Sequence, residues 1–391
     1  MPHVSPPAES GFSVGRAVDW DLAATVGGKL ARPEPATTDY TRGQAIEQLT
    51  ESARASEIPV REVTGLFEGG EIPEARIVNR PEWIRAAAQS MRAMTGGGHD
   101  GEAKPGAISG RISGVQTGAV LAFVASGILG QYDPFATAGL GAPPAQAGGP
   151  PACGGEQARR AGGDPGTGDR GGELLLVYPN VIAVERQLRV APADFRLWVC
   201  LHEVTHRVQF RANPWLTDHM TNALAVLTQD VGEDVTQVVG RLAGYVRGLR
   251  DGSNNDDSPS NSAGIIGLLR AVQSEPQREA LDRLLVLGTL LEGHAEHVMD
   301  AVGPAVVPSV ATIRRRFDER RQRSQPPLQR LMRALLGIDA KMNQYTRGKV
   351  FVDDVVSKVG MQRFNAVWSN AETLPLPSEI DEPQRWIDRV L

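Results

Sequence analysis

The amino-acid sequence predicts a mainly α fold, of the α+β kind with a small sheet. Apolar residues recur at helical spacing over 18–58, 81–91, 191–212 and 263–342, and proline or glycine interrupts the pattern within and between these stretches. One run of aliphatic and β-branched residues, ELLLVYPNVIAV at 173–184, is instead typical of a strand. Helical pattern therefore far exceeds strand pattern, which indicates the fold class.

Composition narrows the classes of function. Apolar residues make up 41% and charged residues 22% of the 391 residues, proportions that are usual for a globular protein. The net charge of -5 argues against a nucleic-acid binder, which would carry a basic excess. Cys153 and Cys200 lack a CxxC partner, so we expect neither a disulfide framework nor a cysteine zinc site. The first residues show no export signal, and a cytoplasmic location is expected.

Three regions are predicted along the chain. Residues 1–135 form an N-terminal helical region, 136–172 a Gly/Pro-rich flexible loop, and 173–391 a region that packs with the N-terminal helices. Within the first region, 112–130 carries no charge, and small residues recur at every fourth position of 110–130. We interpret this stretch as a buried central helix with a smooth face rather than as a membrane span, because it is short and polar residues interrupt it. The Pro-punctuated C-terminal tail, 373–391, is expected to cover the surface.

The segment LHEVTHRVQF at 201–210 is the first indication of a catalytic site. In it His202, Glu203 and His206 are arranged as H-E-x-x-H. On a helix, residues i and i+4 lie on one face, so both imidazoles can bind one zinc ion. Glu203 can then act as general base towards a water whose pKa the zinc lowers. With 7 histidines and 46 acidic residues, chance predicts roughly 0.015 such motifs in this chain. The alternative is two core histidines and a glutamate paired with an arginine.

A catalytic zinc site needs a third protein ligand, and LLEGHAEHVMD at 290–300 is the best source of one. Glu292 and His294 point about 160° apart on a helix, so both cannot easily bind one ion. His294 shares its face with leucines and a valine, as a core residue would. Glu292 is therefore the predicted third ligand, with His294 and His297 as alternatives. Tyr345 is a candidate donor to an oxyanion, and His219 either contacts the reacting carbonyl or caps a helix.

The chain resembles a family of zincin-like metallopeptidases described as coenzyme F420 biosynthesis-associated proteins of actinobacteria. The resemblance covers most of the chain, and the element E-G-x-A at 292–295 matches zincins whose third ligand is a glutamate and whose glycine permits close helix packing. It implies a zincin-like metallohydrolase fold in which His202 and His206 are zinc ligands and Glu203 is the base. The matching segments are VDWDLA (18–23), TGL (64–66), LGQYDPF (129–135), VYPNVIAVER (177–186), DFRLWVCLHEVTHRVQF (194–210), LEGHAEHVMD (291–300) and QYTRGKVFVDDVV (344–356).

These observations predict a zinc-dependent metallohydrolase, with Zn²⁺ as cofactor and a peptide as substrate. A small-molecule amidase or deacylase is a second hypothesis, and a non-catalytic, zinc-stabilised helical interaction protein is a third. An extended sheet edge beside the zinc helix, at 173–184, would favour a peptide. A fourth protein ligand, His294 or His297, would favour the non-catalytic protein. We expect no nucleic-acid or membrane partner, and the sequence does not indicate an oligomeric state.

Overall fold

The computed structural model describes residues 18–66, 73–94, 108–136, 172–228, 275–322 and 338–391, and of 338–346 the helical backbone only. These residues form a mostly helical molecule around one three-stranded sheet, as the sequence predicts. The predicted loop falls almost entirely outside the described residues.

Five helices form the N-terminal region. Asp19 and Thr38 cap the first two, since their side chains accept hydrogen bonds from backbone amides of the first helical turn. Residues 31–37 between these helices contain Pro33 and Pro35, which is where the sequence predicts a break. The helices are α1 (Trp20–Leu30), α2 (Asp39–Ala55), α3 (Glu57–Thr64), α4 (Arg80–Met94) and α5 (Ile108–Ala125).

Helix α5 uses its small residues to approach α1. A Cβ atom on Gly114 would lie 2.7 Å from the Asp19 carbonyl oxygen, and one on Gly118 would lie 2.6 Å from that of Ala23. The predicted smooth face is therefore confirmed. The prediction that the helix is buried is wrong for its first half, because Ile112 is 54% exposed. Within the described residues, no helix is both long and apolar enough to cross a lipid bilayer.

The sheet has the order β1-β3-β2, with β1 parallel and β2 antiparallel to the central strand. The strands are β1 (Arg76–Val78), β2 (Gly130–Asp133) and β3 (Glu173–Val177). The prediction of one strand over 173–184 is therefore wrong beyond Val177, where helix α6 (Tyr178–Leu188) begins. Pro179 suits the first helical turn because it has no N–H to leave unpaired. A buried helix and a buried strand look alike in so apolar a segment.

The remaining helices build the larger part of the core. Helix α9 is kinked at Gly303, whose φ of 67° lies in the left-handed region. Many residues of the C-terminal tail are exposed, as a surface covering requires, but Trp386 is fully buried and donates a hydrogen bond to the Thr373 carbonyl oxygen. The helices are α7 (Pro192–Ala212), α8 (Trp215–Thr228), α9 (Glu275–Val306), α10 (Val310–Gln322), α11 (Ile338–Val359), α12 (Met361–Phe364) and α13 (Pro383–Val390).

Helices α9 and α11 cross with their backbones in contact. A Cβ atom on Gly293 would lie 2.2 Å from the Gly348 carbonyl carbon, and one on Gly348 would lie 2.1 Å from the Thr289 carbonyl oxygen. No side chain larger than hydrogen fits at either position without moving a helix. The crossing determines where the adjacent residue of α9, Glu292, is held.

Candidate metal centre

Three potential ligand atoms converge between α7 and α9. His202 and His206 lie one turn apart on α7, and their Nε2 atoms are 3.2 Å from each other. The Glu292 Oε2 atom of α9 lies 3.3 Å from Nε2 of His202 and 3.8 Å from Nε2 of His206. Among the described residues, these three form the group of histidine and acidic side chains that could hold a metal ion.

The spacing of this group fits a zinc ion. Zinc bonds of about 2.0–2.1 Å in a tetrahedron place neighbouring ligand atoms about 3.4 Å apart. The three observed separations run from 3.2 to 3.8 Å. The side chains of His202, His206 and Glu292 are 22%, 14% and 26% exposed, so the group is open on one side. Two nitrogens, one carboxylate oxygen and an open side are what a catalytic zinc site requires.

Hydrogen bonds hold both imidazoles in the tautomer that a metal needs. The Met299 Sδ atom lies 3.3 Å from Nδ1 of His202, and a thioether can only accept, so the proton is on Nδ1. In His206 the Nδ1 atom lies 2.8 Å from Oε1 of Gln209, again an acceptor. When each ring is neutral, its Nε2 atom therefore directs a lone pair towards the position shared with Glu292.

Without a metal, the nearby carboxylates change the protonation of His202. Burial alone lowers the pKa of His202, but the hydrogen bond and charge of Glu292, with the charges of Glu203 and Glu296, outweigh it and raise the pKa to about 9. At neutral pH the metal-free protein therefore holds a proton between His202 and Glu292. A metal ion must displace that proton, so metal affinity is expected to increase with pH.

Glu203 lies beside this group, buried between α7 and the sheet. A Cβ atom on Gly130 of β2 would lie 2.6 Å from the Glu203 Cγ atom, so the strand backbone packs directly on the glutamate. Burial raises the pKa of Glu203 to about 7; the charge of His202 opposes this shift and that of Glu292 adds to it. The carboxyl group can thus accept and release a proton near neutral pH, as a general base must.

The two histidines of α9, His294 and His297, have partners outside the ligand group. His294 is fully buried, its Nδ1 atom lies 2.9 Å from Gln209 Nε2, and its ring stacks on Phe364. Burial lowers the pKa of His294 to about 3, so it is neutral. His297 pairs through Nδ1 with Asp353 Oδ1 at 2.7 Å. The structure therefore brings Glu292, and neither alternative, to His202 and His206.

Tyr345 and His219 were the remaining candidates. The Tyr345 side chain lies outside the described part of the structure; its backbone is in α11, three residues before the Gly348 crossing. Burial and the charge of Arg283 lower the pKa of His219. Its ring contacts that of Trp215, with 5.8 Å between ring centroids, and His219 is not in the group of converging ligand atoms.

Some residues of the site were missed in the sequence. Gln209 and Met299 are recognisable in retrospect, because each lies on the site face of its helix, three residues after His206 and seven after Glu292. Nothing in the sequence indicates the contact of Gly130 with Glu203, since only the sheet brings the two residues together. Arg207 is buried and pairs with Glu57 at 2.6 Å, which helps to hold α7 against α3.

Comparisons with known proteins agree with this arrangement. The sequence matches the family described as zincin-like metallopeptidases over residues 18–387. A crystal structure from Chloroflexus aurantiacus, described as that of a "putative hydrolase with a novel fold", matches with a TM-score of 0.61 and 26% identity. That match covers 95% of this chain and 98% of the other. No curated protein shows a significant match. The family match includes α7 and α9.

Proposed function

The chain belongs to the zincin-like metallopeptidase family, and from this membership we propose that it is a zinc-dependent metallohydrolase that cleaves amide bonds in peptides. The observation that carries the proposal is the convergence of His202, His206 and Glu292 beside the buried Glu203. In this proposal the first three residues bind zinc and Glu203 is the general base. Tyr345 stays a candidate donor to the oxyanion.

Each residue has a defined task in the proposed reaction. When bound, zinc supplies Lewis acidity, which lowers the pKa of a water towards ~7 and polarises the amide carbonyl. Glu203 takes a proton from the attacking water as the new C–O bond forms. It then delivers that proton to the amide nitrogen as the C–N bond breaks. Met299 and Gln209 keep the two imidazoles oriented throughout.

Two substitutions test the assignment. Glu203→Gln keeps the size of the side chain but cannot accept a proton, so it should retain zinc and lose hydrolysis. His202→Ala removes a ligand and should lose stoichiometric zinc, measured by elemental analysis of the purified protein. A proteome-wide cleavage screen, with Glu203→Gln as the inactive control, would identify a substrate. Stoichiometric zinc in His202→Ala, or full hydrolysis by Glu203→Gln, would contradict the proposal.

The position of β2 favours a peptide over a small amide. The predicted sheet edge at 173–184 is in fact central strand β3 and helix α6, and β2 is the edge strand on that side of the described sheet. Because β2 begins at Gly130, which packs on Glu203, an extended peptide added to this edge would run past the base. The alternative, a small-molecule amidase or deacylase, predicts turnover of acylated metabolites and none of peptides in parallel screens.

The non-catalytic interaction protein is the third hypothesis. It requires a fourth protein ligand, and among the described residues neither His294 nor His297 belongs to the group of converging ligand atoms, which argues against either histidine in that task. X-ray absorption spectroscopy, which counts the imidazoles bound to zinc, would separate the enzyme from the scaffold: two imidazoles are expected for the enzyme and three for the scaffold. A cytoplasmic location and membership of the F420-associated actinobacterial group stay predictions.

A further inference from the structure

Gln209 lies at the centre of a buried hydrogen-bond network behind the candidate metal centre. Its side chain is fully buried on α7, three residues after His206. The amide contacts three groups: Nδ1 of His206 at 2.8 Å, the Leu291 carbonyl oxygen at 3.0 Å and Nδ1 of His294 at 2.9 Å. We propose that Gln209 is a positioning residue, which sets the tautomer of His206 and ties it to the turn of α9 that carries Glu292.

The partners of Gln209 determine every proton in the network. A carbonyl oxygen can only accept, so the amide nitrogen must face Leu291. That nitrogen also faces Nδ1 of His294, which therefore accepts and has its proton on Nε2. The amide oxygen is left to face His206, whose Nδ1 atom must donate. In the neutral His206 ring, the Nε2 atom consequently carries the lone pair, which is available to a metal.

The same amide joins the two helices that bear the candidate ligands. Leu291 directly precedes Glu292 in α9, and Gln209 belongs to α7. A shift of either helix along the other would therefore stretch a buried hydrogen bond next to a ligand on each side. Removing a side chain that hydrogen-bonds a metal ligand commonly weakens metal binding by about 10–100-fold.

His294 supports Gln209 from the far side. Its ring is packed against Phe364, with 5.6 Å between ring centroids, and against Trp368, with 5.3 Å. Both aromatic residues belong to the short helical segments after α11, so the C-terminal part of the chain holds the acceptor for the second N–H of Gln209. This arrangement accounts for a fully buried histidine two residues from Glu292 that does not itself reach the ligand group.

The test measures zinc affinity rather than turnover. Gln209→Leu has a comparable volume but neither donates nor accepts, whereas Gln209→Glu keeps an acceptor for His206. Gln48→Leu is the matched control, because Gln48 also bonds a buried side chain, Arg196, but lies away from the centre. Zinc affinity of the full-length proteins is measured by competition with a chelator, and the histidine tautomers by ¹⁵N NMR of the metal-free proteins.

We expect Gln209→Leu to bind zinc about 10–100-fold more weakly than the wild-type protein and to lose the pure Nδ1–H tautomer of His206. Gln209→Glu should keep that tautomer, and Gln48→Leu should keep both the tautomer and the affinity. If Gln209→Leu does not fold, His294→Phe serves in its place, with an expected loss of about threefold to tenfold, because the bond between Gln209 and His206 remains.

The inference rests on the proposed function, and the measurements separate the two. A wild-type protein that binds no zinc overturns both. A wild-type protein that binds zinc, beside a Gln209→Leu protein with unchanged affinity and tautomer, overturns only the task assigned to Gln209. Equal losses of affinity in Gln209→Leu and Gln48→Leu would also overturn it, since they would show a general effect of destabilisation.

Discussion

Replacing Gly130 with alanine should displace the proposed general base without touching the proposed zinc ligands. The new Cβ atom would lie 2.6 Å from Cγ and 2.8 Å from Cδ of Glu203, and 2.9 Å from Cδ2 of Leu176. Carbon atoms in contact prefer about 3.5–4.0 Å, so the glutamate must withdraw by roughly 1 Å. A displacement of that size can cost about 100-fold in rate. Overpacking should also lower the free energy of unfolding by about 1–3 kcal/mol.

The assay compares kcat/KM for a substrate from the cleavage screen with zinc content and urea stability. Gly127→Ala is the matched control, because its Cβ atom would meet its first neighbour, the Val124 carbonyl oxygen, at an ordinary 3.8 Å. We expect Gly130→Ala to keep stoichiometric zinc and lose about 100-fold in kcat/KM, and Gly127→Ala to retain activity. Activity of Gly130→Ala within twofold of the wild type would refute the inference that β2 holds Glu203 in place.

Two further predictions concern the surroundings of the site. Gly293→Ala should force α9 and α11 apart, weaken zinc binding and lower the free energy of unfolding by about 1–3 kcal/mol or more. Gly288→Ala is the control: its new Cβ atom would have no neighbouring atom within 4 Å, so stability measured by urea denaturation should be unchanged or higher. Burial raises the pKa of Asp133 above 3.8 despite its bonds from Ser90 and Phe135. The protonated Asp133 carboxyl therefore contributes fully to stability below pH 3.8, and this contribution is lost as the pH rises through the pKa of Asp133 in the folded protein. Stability of the wild type relative to Asp133→Asn should therefore decline as pH rises above 3.8; parallel profiles would contradict this.

Much of the fold follows from local pattern, and the errors have a common cause. Helices α1, α2, α4 and α7 were predictable because capping residues, prolines and 3.6-residue periodicity act within one segment. The end of β3 was not, because the apolar run 173–184 suits a buried strand and a buried helix equally. The C-terminal tail looked like a surface covering, since nothing local shows that Trp386 enters the core.

The sequence by itself determined the mainly helical class and the pairing of His202 with His206, with Glu203 beside them. Those relations depend only on spacing within a single helix. Only the tertiary structure decided that Glu292, rather than His294 or His297, faces the two imidazoles. That choice depends on how α9 crosses α7 and on the close contact of α9 with α11, which join residues about 50 to 90 positions apart. Side-chain direction across such a crossing is a property of packing, which no periodicity within one segment encodes.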